Sequence, residues 1–163
     1  MATYDEVGLL GVGNMGTALL EGLGETDDFS TTIFDLDENL LAQRVDEYGV
    51  TGAESVRALF ESTDFVVLCI KPKDVASALG NVSDRTVNLV SIAAGVELAT
   101  LKSHLTDDSA VVRVMPNTPA QVGEGISFLS AGTEVPGGFL EAARQVFATV
   151  GETEVVKEEA LDA

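Results

Sequence analysis

A glycine-rich turn near the amino terminus constrains this chain more than any other feature. Residues 7–10 form a short apolar run, residues 11–16 read Gly-Val-Gly-Asn-Met-Gly, and residues 17–23 continue with the pattern of an amphipathic helix. In such a unit Gly11 permits the tight turn, Gly13 leaves room beside bare backbone, and Gly16 lets the helix pack closely on the strand. The helix start directs free N–H groups and a positive dipole end at phosphates. The motif predicts a pyrophosphate site for a dinucleotide; the structural alternative is a turn that binds nothing.

The rest of the chain alternates apolar runs with helical patterns. This order predicts an α/β fold, a Rossmann-type doubly wound, mostly parallel sheet with helices on both faces. Strands are predicted at 7–10, 31–34, 65–70, 87–92, 111–115, 126–129 and 154–156. Helices are predicted at 15–23, 38–48, 56–61, 74–79, 98–104 and 139–150. Because 65–70 and 87–92 are continuously apolar, as strands buried on both faces are, we expect them to be central.

The charge balance restricts the partners. The chain has 27 acidic and 9 basic residues, a net charge of −18. Such self-repulsion destabilises a compact state unless ions screen it, and about 1 M salt shortens the Debye length to about 3 Å. We therefore predict an acidic, halophilic protein adapted to a salty cytoplasm. The same charge disfavours nucleic acid and membrane surfaces as partners, since phosphate binding needs clustered Lys and Arg.

Localisation and metal chemistry are also limited by the sequence. The amino terminus is acidic where a signal peptide would be basic, and no apolar run approaches membrane-spanning length, so we expect a cytoplasmic protein. Cys69 is the only cysteine, which excludes an intrachain disulfide and a thiolate metal cluster, and no metal site is predicted. Its apolar neighbours indicate a small core residue, with a reactive thiol as the alternative.

Asp35 closes the second apolar run, where a carboxylate can accept hydrogen bonds from the adenine ribose hydroxyls. It would repel a 2′-phosphate, and no arginine stands close to it in the sequence, which favours NADH over NADPH. The alternative role for Asp35 is to cap the helix that begins near residue 38. Asp37 is the better candidate for that cap.

Three further strand ends carry candidate residues, because ligands of open α/β sheets lie beyond the carboxyl ends of the strands. Lys71 and the following proline could border the cofactor, although a solvated lysine is the ordinary alternative. Small residues after the fourth strand let backbone approach a flat ring or a ribose, or serve packing alone. Two prolines fix the backbone around an amide and a hydroxyl after the fifth strand, unless they only form a turn. These segments read Ile70-Lys71-Pro72, Ala93-Ala94-Gly95 and Met115-Pro116-Asn117-Thr118.

Together these motifs resemble pyrroline-5-carboxylate reductase, and the similarity covers essentially all 163 residues. The resemblance implies hydride transfer from a nicotinamide cofactor, NAD(P)H, to the cyclic imine of 1-pyrroline-5-carboxylate, giving proline. It implies that residues 115–118 lie near the substrate and the nicotinamide. The implied cofactor contacts are Gly11, Val12, Gly13, Asn14, Met15, Gly16, Asp35, Ile70, Lys71, Pro72, Ala93, Ala94 and Gly95.

The sequence departs from that family in two respects. Many members favour NADPH and carry small polar or basic residues where Asp35 and Asp37 stand here. Family chains also continue into a helical domain that binds the substrate carboxylate and forms a homo-oligomer. We therefore expect a dinucleotide-binding domain at 1–156 and, at 157–163, an opening helix that leads to such a domain, or else a frayed tail.

No catalytic residue is assigned from the sequence. His104, the only histidine, falls on a predicted surface helix away from the strand ends, so it is a poor candidate for the proton donor. We expect a chain that binds cofactor and is inactive alone. Two alternatives are another imine or 2-hydroxyacid reductase, and a stand-alone dinucleotide-binding module that senses redox state or completes a site with a separate helical subunit.

Overall fold

The computed structural model describes residues 3–117 and 125–162. Within these residues the chain forms one eight-stranded sheet and six α-helices. The strands are β1 (Glu6–Leu10), β2 (Ser30–Phe34), β3 (Thr51–Gly52), β4 (Phe65–Leu68), β5 (Asn88–Ser91), β6 (Ala110–Pro116), β7 (Gly125–Ala131) and β8 (Gly151–Val155). The helices are α1 (Asn14–Leu23), α2 (Glu38–Tyr48), α3 (Val56–Glu61), α4 (Val75–Gly80), α5 (Leu98–Ser103) and α6 (Gly137–Ala148). In these residues no helix is long and apolar enough to cross a membrane.

The strand order places the glycine turn at the reversal of the sheet. The order is β3-β2-β1-β4-β5-β6-β7-β8, and every neighbouring pair is parallel except β6 and β7. From β1 the chain first builds outward through β2 and β3, and it then returns to place β4 on the other side of β1. Ligands of doubly wound sheets bind at such a switch point, outside the carboxyl ends of the strands.

Two apolar layers cover the sheet. Successive side chains of β4 point to opposite faces, so Val67 joins the layer beneath α1 and α6, whereas Val66 and Leu68 join the layer beneath α3, α4 and α5. All three side chains are fully buried. The fold class predicted from the sequence is confirmed, and β4 and β5 are central as expected.

Most differences from the predicted elements are at the ends. The runs 65–70 and 87–92 pair only as Phe65–Leu68 and Asn88–Ser91, since their last residues already turn into the loops at the carboxyl edge. The two-residue strand β3 is too short to give a periodic signal. The last α-helix begins after Pro136, two residues earlier than predicted.

The carboxyl-terminal segment is ordered. A short 3-10 helix (Glu158–Asp162) follows β8 and packs against β6 and β7, with Leu161 1% exposed. This contact rules out a frayed tail for residues 158–161. The first such helix, Pro72–Asp74, precedes α4 and replaces the start predicted at residue 74.

Candidate functional site

The glycine turn has the local geometry that its sequence predicts. Gly11 has a φ of 98°, and a Cβ there would lie 2.4 Å from the carbonyl oxygen of Cys69. A Cβ on Gly16 would lie 2.0 Å from the carbonyl oxygen of Gly11, so the helix approaches the turn too closely for any side chain. A Cβ on Gly13 would meet nothing within 4 Å. Gly13 therefore faces open space at the start of α1.

Among the described residues, no side chain caps the start of α1, and the same holds for α4 and α6. Gly13 is the N-cap residue, and no side chain bonds to the first turn. By contrast, Asp37 accepts from the Leu40 amide at 3.0 Å to cap α2, and Ser55 accepts from the Ala58 amide at 3.0 Å to cap α3. The first-turn N–H groups of α1 thus remain available to an anion.

Asp35 directs its carboxylate at this turn. Its Oδ2 accepts from the Val12 amide at 3.0 Å and its Oδ1 from the Asp37 amide at 2.9 Å. The suggestion that Asp35 caps α2 is wrong, because Asp37 supplies that cap. Each carboxylate oxygen keeps a second lone pair, which leaves Asp35 able to accept further hydrogen bonds from hydroxyl groups.

A cleft of about 700 Å³ runs from the glycine turn along the carboxyl ends of β1, β2 and β4. Of the residues predicted to contact the cofactor, six line it: Gly11, Gly13, Asn14, Asp35, Ile70 and Lys71. The cleft also contains residues that were not predicted, among them Leu36, which is 83% exposed, and Lys73. An exposed leucine directly after Asp35 provides an apolar surface beside the carboxylate.

Cys69 lies at the wall of this cleft and packs against the core. Burial raises the pKa of its thiol to about 12. Because the thiolate is the nucleophile, this pKa supports the core-residue interpretation over the reactive thiol.

A second cavity of about 480 Å³ adjoins the cleft, and Ile92 lines both. It brings together Ala93, Ala94, Met115, Pro116 and Asn117, all predicted site residues. The remaining cofactor candidates Val12, Met15, Gly16, Pro72 and Gly95 line neither cavity, and Thr118 lies outside the described residues. His104, which follows the last residue of α5, also lines neither cavity.

The second cavity contains a charged residue that the sequence analysis missed. Arg113 is 2% exposed, and its Nη1 lies 3.3 Å from Glu158 Oε2 in the carboxyl-terminal 3-10 helix. The same Glu158 oxygen accepts from the Leu98 amide at 2.6 Å, at the start of α5. The sequence does contain a signal for this residue, because Arg113 is the single charged residue in an otherwise apolar predicted strand. A charge buried in such a strand requires partners.

These features fit a dinucleotide. An uncapped helix start, an open position at Gly13 and a carboxylate at the end of β2 suit a pyrophosphate and its ribose. The adjoining cavity, at the ends of β5 and β6, leaves room for the part of the dinucleotide beyond the pyrophosphate and this ribose.

Comparison with known proteins identifies relatives with the same fold. A pyrroline-5-carboxylate reductase of Methanosarcina acetivorans is 30% identical over 97% of this chain and 61% of its own length. The structure of 1-pyrroline-5-carboxylate reductase from Streptococcus pyogenes superposes with a TM-score of 0.87 and 25% identity, covering 96% of this chain and 60% of that one. Pyrroline carboxylate reductase of Plasmodium falciparum, solved with NADP bound, shares the fold at 24% identity and a TM-score of 0.82, covering 99% of this chain and 61% of that one.

The resemblance stated from the sequence is confirmed, and the chain spans about 60% of the length of these relatives. A family model described as "NADP oxidoreductase coenzyme F420-dependent" matches residues 6–95, more than half of the 163. The chain therefore belongs to that family, and its relatives include pyrroline-5-carboxylate reductases.

Proposed function

We propose that this chain is the NAD(P)H-binding part of an enzyme that reduces 1-pyrroline-5-carboxylate to proline. The uncapped start of α1 beside the open Gly13 is the observation that carries the cofactor assignment. When bound, a nicotinamide cofactor supplies the hydride, and the protein supplies placement. The cavity that shares Ile92 with the cleft is the place for the imine, with Asn117 at its border.

The substrate assignment rests on the relatives, which carry the reductase name, and on the segment at 115–118. Because the chain spans about 60% of their length, the reaction and its substrate are proposals for a longer assembly. We propose that residues 1–156 form the dinucleotide-binding domain and that residues 157–163 lead to a helical domain that completes the substrate site and forms a homo-oligomer. Purified chain alone is then expected to bind cofactor without oxidising NADH when 1-pyrroline-5-carboxylate is added. Turnover by the 163 residues at a rate typical of enzymes would contradict this division.

We further propose that Asp35 favours NADH over NADPH. Its carboxylate is fixed by the Val12 and Asp37 amides at the ribose end of the cleft, where a 2′-phosphate would meet a like charge. NADP bound to the Plasmodium falciparum protein shows only that a relative with this fold accepts the phosphate.

Titration of both cofactors tests this preference. In Asp35→Asn, which keeps an acceptor oxygen and loses the charge, the ratio of NADPH to NADH affinity should rise about ten-fold, or ~1.4 kcal/mol. Asp64→Asn is a matched control, because Asp64 Oδ2 also accepts from two backbone amides, of Asp5 at 3.1 Å and Glu6 at 2.9 Å, but at the opposite end of β1. An unchanged ratio in the first variant, or an equal change in both, would refute the role of Asp35.

A net charge of −18 supports one more proposal, that the protein works in a salty cytoplasm. The electrostatic field of the acidic residues opposes both the folding of the chain and the binding of an anion. Dissolved ions screen this field.

A further inference from the structure

The peptide group between Val12 and Gly13 is held at its carbonyl oxygen by two residues that do not line the cleft, Thr17 and Arg44. The carbonyl oxygen of Val12 accepts from Thr17 Oγ1 at 2.8 Å and from Arg44 Nε at 3.4 Å. On its other side, the Val12 amide donates to Asp35. Both peptide groups of Val12 are thereby fixed by groups from outside the turn.

Arg44 reaches this carbonyl from the middle of α2, 32 residues along the chain. Its Nε also donates to Thr17 Oγ1 at 3.0 Å, and its Nη1 pairs with Glu47 at 3.3 Å. The side chain is only 23% exposed, so α1, α2 and the turn enclose most of it. The side chain is therefore held in one place beneath the glycine turn.

Because the peptide group is planar, fixing the Val12 carbonyl also fixes the direction of the Gly13 N–H. In a trans peptide the C=O of one residue and the N–H of the next point in opposite directions. Drawing the Val12 carbonyl towards Arg44 and Thr17 therefore turns the Gly13 N–H away from them. Gly13 itself lines the cleft, and a Cβ on its Cα would meet nothing within 4 Å.

We propose that Arg44 is a positioning residue for pyrophosphate binding, acting through the Val12–Gly13 peptide. The guanidinium fixes the direction of the Gly13 N–H, and its charge polarises the peptide, which makes that N–H a stronger donor to an anion. This inference rests on the proposed cofactor function and names an arginine outside the glycine motif as part of its mechanism.

Arg44→Met tests the proposal, because methionine keeps much of the apolar stem and removes the donors. We expect the Kd values for ADP-ribose and NADH, measured by calorimetry on the 163-residue chain in fixed KCl, to rise about ten-fold. Arg44→Lys keeps the charge and a donor nitrogen but not the planar guanidinium, so it should recover part of the affinity. This variant also serves as the test if the methionine variant does not fold.

The chain offers a closely matched control in Arg144 on α6. Arg144 Nε pairs with Glu141 Oε2 at 2.9 Å, and its Nη1 lies 3.3 Å from Thr153 Oγ1, so it repeats the glutamate and threonine contacts away from the turn. Arg144→Met should leave both Kd values within two-fold of wild type. Glu47→Gln, which removes the ion pair of Arg44 but not its contacts with the turn, should do the same.

A backbone resonance separates positioning from general stabilisation. In Arg44→Met the 15N and amide-proton shifts of Gly13 should change without cofactor, and in Arg144→Met they should not. Unchanged Gly13 shifts, or equal Kd values in wild type and Arg44→Met, would overturn the role of Arg44 alone. If wild type binds neither ADP-ribose nor NADH, the proposed cofactor function fails and this inference fails with it.

Discussion

At the scale of single residues, Gly13 and Gly16 of one turn tolerate a side chain very differently. A Cβ on Gly16 would lie 2.0 Å from a backbone oxygen, whereas a Cβ on Gly13 would enter open space at the cleft. We expect Gly16→Ala to lower the free energy of unfolding by about 1–3 kcal/mol through overpacking. Gly13→Ala should change it by no more than about 0.5 kcal/mol and still weaken NADH binding at least about ten-fold. Urea unfolding and calorimetry on both variants measure this, and a Gly13→Ala protein with wild-type affinity would contradict the site.

At this scale, the contacts between residues close in the sequence could be predicted, whereas those between residues far apart in the sequence could not. The turn at Gly11 and the cap by Asp37 follow from neighbouring residues, so the sequence pattern indicates them. Arg44 and Arg113 meet partners 32 and 45 residues away, across elements whose packing no local pattern specifies.

At the scale of elements, Tyr48 adds a hydrogen bond between α2 and α1 to the one that Arg44 makes with Thr17. The Tyr48 hydroxyl donates to Glu21 Oε1 at 2.7 Å, and this bond to a carboxylate, followed by burial, raises the pKa of Tyr48 to about 12. Because the folded state favours the neutral phenol, the stabilisation is complete below the ordinary pKa of about 10 and is lost as the pH rises through about 12. Absorbance at 295 nm should show this late titration in wild type. Glu21→Gln should move it towards pH 10, Tyr4→Phe should leave it in place, and an unmoved titration in Glu21→Gln would contradict the assigned cause.

A second prediction at this scale concerns the carboxyl-terminal 3-10 helix. Glu158 joins this helix to buried Arg113 in β6 and to the amide at the start of α5. Glu158→Ala should lower the free energy of unfolding by about 1–3 kcal/mol, since it leaves buried donors with fewer partners. Glu159→Ala, the same change at an exposed neighbour, should cost no more than about 0.5 kcal/mol. Equal losses in urea unfolding would show that the Glu158 contacts do not hold the segment.

The same elements show what periodicity predicts. Helices α2 and α3 match their predicted ranges, because side-chain caps at Asp37 and Ser55 mark their starts. The two-residue β3 and the shift of α6 to Gly137 were missed, since β3 is too short for a pattern and α6 starts at two glycines without a side-chain cap.

At the scale of the whole molecule, the mostly parallel sheet follows from the alternation of strands and helices, whereas the antiparallel direction of β7 relative to β6 does not. The predicted strands at 111–115 and 126–129 are separated by a segment rich in turn residues, and that composition is compatible with either direction. Tertiary pairing decides it, with Val114 opposite Leu129 in the antiparallel register.

The net charge also acts at this scale, and it predicts an unusual salt dependence of cofactor binding. Lys71 and Lys73 line the cleft, but they are two of only nine basic residues against 27 acidic ones. A dinucleotide anion approaching the cleft therefore meets net repulsion, which acts over a Debye length of about 10 Å at 0.1 M salt and about 3 Å at 1 M. Between 0.05 and 1 M KCl we expect the NADH Kd to fall about ten-fold, opposite to the weakening expected if local lysine contacts dominated. Calorimetry well below the unfolding temperature, repeated in sucrose of equal osmolality, separates screening from solute exclusion. A Kd that rises steadily with KCl would show that the lysines outweigh the field of the whole chain.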